Sequence, residues 1–188
     1  REVTNVLQQS LRRAGLVFTT TAEMDLCRTM KEEACYLTPD DTADAEKDSP
    51  APYQLPDGQT VDLGRNERLA PKVLFDPSMI GSEEPGCADI LCDSIRKSDI
   101  DLRAKLYGQI VVAGGSTLTP GFGDTLLAHV RNRAPAHTAV RISAPPERLY
   151  SPYVGGSILA SLSTFKSMWV SRAEYEEYGS SILHRREL

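Results

Sequence analysis

Residues 109–132, QIVVAGGSTLTPGFGDTLLAHVRN, constrain the fold more than any other stretch of this chain. Ile110, Val111, Val112 and Ala113 form a short β-branched run bounded by glycine, the pattern of a buried strand. Beyond the glycines, Phe122, Leu126, Leu127 and Val130 recur at spacings of three and four, which is helical. Small residues let a backbone approach a ligand, and a helix start offers free N–H groups and the positive end of its dipole. The spacing alone leaves two readings open, an anion cradle or a tight turn without a ligand.

The rest of the chain alternates helical and extended patterns, which makes the class α/β. Val3, Val6, Leu7 and Leu11 mark a first helix running to Arg13, with Gly15 as its stop. Thr20-Thr21-Ala22-Glu23 is a capping-box pattern for a second helix that turns Leu26, Met30 and Ala34 inward. Residues 38–52 hold five acids, one lysine and three prolines with no large apolar residue, which reads as a solvated, mobile loop. Pro56-Asp57-Gly58 between alternating runs predicts a hairpin. Short helical turns follow over 70–81, then helices over 87–97 and within 98–108, and a strand at 140–144. VGGSILASLSTFKSMWV repeats the Gly-Gly-to-helix arrangement with an apolar face of Ile158, Leu159, Leu162, Phe165, Met168 and Trp169. Ser171-Arg172-Ala173-Glu174 is a second capping box.

The 188 residues suffice for one sizeable core or two small ones. A net charge of −5 and the lack of any dense Lys/Arg block argue against a nucleic-acid surface. No apolar run approaches the roughly 20 residues that span a bilayer, so no membrane partner is expected. Cys27, Cys35, Cys87 and Cys92 lack CxxC spacing and nearby His partners, and read as reduced, mostly buried thiols of a cytoplasmic protein rather than metal ligands. His129, His137 and His184 are isolated and receive no role. The opening REVTNVLQQSLRRAG has no Met and is already in helical rhythm, which reads as a start within a longer protein.

Seven segments together resemble the actin family: FTTTAE (18–23), MKEEACYL (30–37), YQLPDGQ (53–59), APKVLFDPSMIG (70–81), SDIDLRAKLYGQIVVAGGSTLTPG (98–121), APPERLYS (144–151) and VGGSILASLSTFKSMWVSRAEYEEYGSSILHR (154–185). Within the family, GGSTLTPGFGD, VRISAPPERLYS and MWVSRAEYEEYG are most similar to the centractin type, the actin-related subunit of the short dynactin filament. The resemblance implies an actin-like ATPase (ribonuclease H-like) fold, and of it the C-terminal half. Residues 1–86 would form subdomain 4, 87–150 the remainder of subdomain 3, and 151–188 the C-terminal part of subdomain 1.

What the family binds then extends to this chain residue by residue. Gly114, Gly115, Ser116 and Leu118 would lie in the turn that closes over ATP or ADP with Mg²⁺. Arg28, Lys31 and Glu32 would meet the adenosine, a cation over the base and a carboxylate on the ribose hydroxyls. From pattern alone the last three residues read equally as a solvated helix face. Thr119 replaces an aromatic of conventional actin, and Leu149 a lysine. Each loss would weaken nucleotide contact by about 1 kcal/mol. The family's first phosphate loop, metal-proximal carboxylate and water-positioning glutamine have no counterpart here, so no catalytic or metal residue is assigned and no ATP hydrolysis is expected of these residues alone.

Ile158, Leu159, Leu162, Thr164 and Met168 would line the family's hydrophobic cleft, shared between core packing and docking. The implied partners are further copies in a filament, dynactin-type subunits and other proteins that bind the actin fold. The alternatives are a conventional-actin-like filament protein and a nuclear subunit of a chromatin-remodelling complex. A sugar kinase or heat-shock ATPase would share the fold without the 154–185 tail.

Overall fold

A computed structural model describes residues 2–39 and 52–185. The expectation of a mobile acidic loop falls almost wholly on 40–51, outside the described residues.

Helix α1 (Glu2–Arg13) buries Val3, Leu7 and Leu11 on one face, a spacing of four that keeps them in register. Helix α2 (Thr21–Ala34) starts at the expected capping box, with the Thr20 hydroxyl accepting from the Glu23 N–H and the Glu23 carboxylate accepting from the Thr20 N–H. These bonds hold the Glu23 carboxyl below its usual pKa. Strands β1 (Tyr53–Gln54) and β2 (Thr60–Val61) pair antiparallel across the Pro56-Asp57-Gly58 turn. Helix α3 (Asn66–Lys72) packs on α1 and closes a first core of Leu7, Leu11, Cys27, Met30, Cys35, Leu63 and Val73.

A second core gathers Leu37, Phe75, Cys92, Tyr107, Phe122, Leu126 and Val130. Helices α4 (Cys87–Lys97) and α5 (Ile100–Tyr107) lead into strand β3 (Ile110–Val111), which pairs in parallel with β4 (Ile142–Ser143). Helix α6 (Phe122–Arg133) crosses between these strands and packs on α4, where the Arg133 guanidinium grips the Asp89 carboxylate through both of its oxygens.

The two cores meet where the chain crosses between them. At the first crossing the Leu37 N–H donates to the Pro120 carbonyl at 2.8 Å. Gly121 has φ +76°, and a β-carbon there would sit 1.9 Å from the Leu37 carbonyl oxygen. At the return crossing the Cys87 N–H donates to the Leu74 carbonyl, and Phe75 meets the Phe122 ring with centroids 5.4 Å apart.

Three expectations need correction. Val111 is 70% exposed while Ile110 and Val112 are buried, because the run alternates and, among the described residues, nothing covers the face that Val111 presents. The second Gly-Gly pair does not precede a helix but lies inside α7 (Ser151–Ser161), which Ser151 and Pro152 open. That helix ends at Leu162, whose ψ of 139° is extended, and a 3₁₀ segment (Ser163–Met168) follows. The apolar residues of 158–169 therefore do not share one helix face. Helix α8 (Arg172–Tyr178) does begin at its expected capping box, and α9 (Ile182–Arg185) follows.

Two expected outcomes follow from this packing. Gly121→Ala adds a steric clash to left-handed strain and should cost more than about 3 kcal/mol in urea unfolding, whereas Gly58→Ala (φ +87°, nothing near its β-carbon) should cost about 1–2 kcal/mol. Glu67 is buried, and burial, with the Asp62 charge second, pushes its carboxyl above the usual pKa. The folded state thus holds the proton more tightly, so stability is fully present below the unfolded pKa and falls as pH rises through the folded one. Glu67→Gln should stabilise the protein over the natural chain at pH 7 and gain nothing near pH 4, read from urea midpoints.

Candidate functional site

Parallel strands end on the same side, and in open α/β sheets that edge is where ligands bind. Here the segments leaving β3 and β4 converge. Gly114 leaves β3 at φ +95°, a conformation that L side chains rarely adopt, and its N–H donates to the Arg148 carbonyl at 3.0 Å. A 3₁₀ turn, Gly115–Leu118, follows. The helix starts at Phe122, as its spacing predicts, so its free N–H groups are not those of Gly114 and Gly115.

Arg148 fixes this turn. Its Nε lies 3.1 Å from the Thr117 hydroxyl, its Nη2 donates to the Thr117 carbonyl at 2.9 Å, and its Nη1 donates to the carbonyls of Pro145 and Ala144 at 3.0 and 3.3 Å. The Thr117 hydroxyl also reaches the Gly114 carbonyl at 2.7 Å. One guanidinium therefore clamps the loop after β3 to the loop after β4. Leu149 packs beside the turn, with its Cδ1 3.5 Å from where a Gly115 β-carbon would be. Gly115, Ser116, Leu118 and Leu149 are exposed, which leaves this surface open to a ligand.

Arg28, Lys31 and Glu32 gather on α2. The Glu32 carboxylate lies 3.1 Å from Arg28 Nε and 3.5 Å from Lys31 Nζ. The Arg28 hydrogen bond, then Lys31, holds the Glu32 carboxyl below its usual pKa. Exposed ion pairs contribute about 0–1 kcal/mol, so these side chains can exchange partners cheaply. Among the described residues, no hydrogen bond or ion pair joins this trio to the glycine turn. The chain does connect them, since α2 leads to Leu37, whose N–H is held by Pro120 at the turn's far end.

The proposed cleft residues lie apart. Ile158 is 60% exposed, Leu159, Leu162, Thr164 and Met168 are exposed too, and no residue of α7 is buried. Among the described residues nothing covers this stripe. Phe165, half-buried, meets Trp169 edge-on at 6.0 Å.

The expected thiol state holds among the described residues. All four cysteines are free, and Cys27, Cys35 and Cys92 are buried. Burial pushes the Cys35 thiol to about 12 and that of Cys87 to about 11, so neither is a nucleophile at neutral pH.

Sequence reasoning missed Arg148 and Thr117. Their partnership spans 31 residues, and a lone Arg after two prolines gives no local sign of it. Arg148→Ala should leave the cores intact yet speed amide exchange at Thr117 by about ten- to a hundredfold, the loss of charge-assisted bonds worth about 1.5–3 kcal/mol. Unchanged Thr117 protection would mean that the turn holds itself.

Comparison with known proteins gives the lineage. The sequence profile of the actin family matches residues 1–187. An "Actin-like protein" of Neurospora crassa is 46% identical over 194 aligned residues, covering 99% of this chain and 51% of that protein. The chain thus spans about half the length of the curated relative it matches. With a family match over nearly every residue and this arrangement at the ends of parallel strands, the chain belongs to the actin family and carries an actin-fold domain.

Proposed function

We propose that this chain supplies one side of an ATP clamp in an actin-related filament subunit of centractin type. The observation that carries the reading is the Gly114–Leu118 turn, exposed at the carboxyl ends of β3 and β4 and clamped by Arg148. A pre-set turn with N–H groups near its surface receives phosphate at low entropic cost, because the loop is ordered before the ligand arrives. Arg28, Lys31 and Glu32 would meet the adenosine, and Mg²⁺ would accompany the phosphates. ATP or ADP would act as the ligand that joins two halves and biases subunit conformation, with slow turnover secondary.

Residues 1–86, 87–150 and 151–188 would correspond to subdomain 4, the rest of subdomain 3 and the end of subdomain 1. GGSTLTPGFGD, VRISAPPERLYS, MWVSRAEYEEYG and Leu149 favour the centractin type over conventional actin. In that reading the protein works in the cytoplasmic cytoskeleton, and its filament serves dynactin- and dynein-linked transport. The exposed Ile158, Leu159, Leu162, Thr164 and Met168 would receive a neighbouring subunit or partner helix.

Equilibrium binding of ATP separates these claims. The 188 residues alone should bind ATP weakly or not at all. Joined to an actin-family N-terminal half they should bind it, and Gly115→Val in that longer protein should lower nucleotide occupancy by obstructing the phosphate side. Full occupancy in Gly115→Val would reduce the turn to a structural feature, and rapid ATP turnover by the 188 residues alone would overturn the half-site reading.

A further inference from the structure

Arg148 serves two elements at once. Its carbonyl oxygen accepts from the Gly114 N–H at 3.0 Å, and at 3.3 Å from the hydroxyl of Ser151, the first residue of α7. Its guanidinium reaches the other way, donating through Nε to the Thr117 hydroxyl at 3.1 Å. That hydroxyl donates in turn to the Gly114 carbonyl at 2.7 Å, which also accepts from the Thr117 N–H at 3.2 Å. The bonds close a ring, from the Arg148 side chain through Thr117 and Gly114 back to the Arg148 carbonyl.

A ring of this kind is cooperative. The guanidinium is ionised, so its bond polarises the Thr117 hydroxyl and strengthens that hydroxyl's own donation to Gly114. Gly114, Thr117 and Arg148 are half-buried, where water competes less for each bond. Opening one bond therefore weakens the rest.

Helix α7 is the element placed to respond. Its N-cap, Tyr150, makes no side-chain cap bond, Pro152 brings no N–H to the first turn, and no residue of the helix is buried. Elements with so little burial open at low free energy. The start of the helix is held by the Ser151 bond to Arg148, by Tyr150 N–H to the Glu147 carbonyl and by Val154 N–H to the Tyr150 carbonyl.

We infer that Arg148 couples the glycine turn to α7, so that order at one favours order at the other. Arg148 acts as a positioning residue, through Thr117 on one side and Ser151 on the other. The functional meaning rests on the reading of the turn as the nucleotide side and of α7 as a docking surface. A ligand on the turn then strengthens docking on α7, and a docked partner strengthens ligand binding by the same factor.

The test is amide exchange in the 188-residue chain, followed by NMR without nucleotide or partner, so its failure leaves the ATP reading standing. Each end is changed and the other is read. Gly155→Ala with Gly156→Ala stiffens α7, and both β-carbons enter open space, so the fold is not put at risk. The pair should slow exchange at Val154 and, through Arg148, at Gly114 and Thr117 by about three- to tenfold. From the other end, Thr117→Val removes the hydroxyl from the ring and should speed exchange at Val154 by about three- to tenfold. Thr117→Ser keeps the hydroxyl and should leave Val154 as in the natural chain. In Arg148→Met, which lacks the guanidinium, Thr117→Val should add nothing at Val154. Slower exchange at Val154 with Gly114 and Thr117 unmoved by the alanines would overturn the inference. So would Val154 unmoved by Thr117→Val, or moved equally by Thr117→Ser.

Discussion

The carbonyl oxygen of Leu37 occupies the place where any residue but glycine at 121 would carry its β-carbon. That approach sets much else. It allows the 2.8 Å bond from the Leu37 N–H to Pro120, which fastens the segment leaving α2 to the start of α6. The return crossing is built the same way, since a β-carbon on Gly86 would sit 2.0 Å from the Phe75 carbonyl oxygen. Two backbone-to-backbone contacts thus hold the α1–α2–α3 core against the α4–α6 core. The glycine turn inherits its position from them. Its far end is fixed at Pro120 by the seam, and Arg148 holds its near end at Gly114 and its middle at Thr117. A short loop pinned at both ends loses little entropy when a ligand arrives.

Local chemistry was legible in the sequence where it is decided by neighbours in the chain. Both capping boxes, at Thr20 and Ser171, form as read, because the donor and acceptor lie three residues apart. The Pro56-Asp57-Gly58 hairpin and the α1, α4 and α6 patterns hold for the same reason. The misreadings concern what lies on the other side of an element. Val111 is as apolar as Ile110, and only the alternation of β3, which turns it to the uncovered face, makes it exposed. Gly155-Gly156 looked like Gly114-Gly115, yet Pro152 sets up a helix before the glycines can act as a turn. The glycine turn itself was found by its residues, but its clamp was not. Arg148 holds the turn through a partner that no periodicity reveals.

The C-terminal segment differs in kind from the two cores. Helices α7 and α8 bury no residue, although Tyr153, Ile158, Leu162 and Trp169 are large and apolar. Burying a side chain of this size is worth about 1.5–3 kcal/mol, so a surface of this kind gains most from a partner. The seam and the turn are satisfied within the described residues, whereas the tail is not. In the proposed reading, assembly and ligand binding therefore fall on different parts of the chain.

Native-state hydrogen exchange at the Leu37 amide tests the seam most directly, because that proton is held only by the bond across it. If the two cores open as one unit, Leu37 should exchange with the slow core amides of Met30 and Leu126, at the free energy of global unfolding. Exchange at Leu37 that is faster by several orders of magnitude, with Met30 and Leu126 still protected, would show that the cores part independently and that the turn is not held from this side.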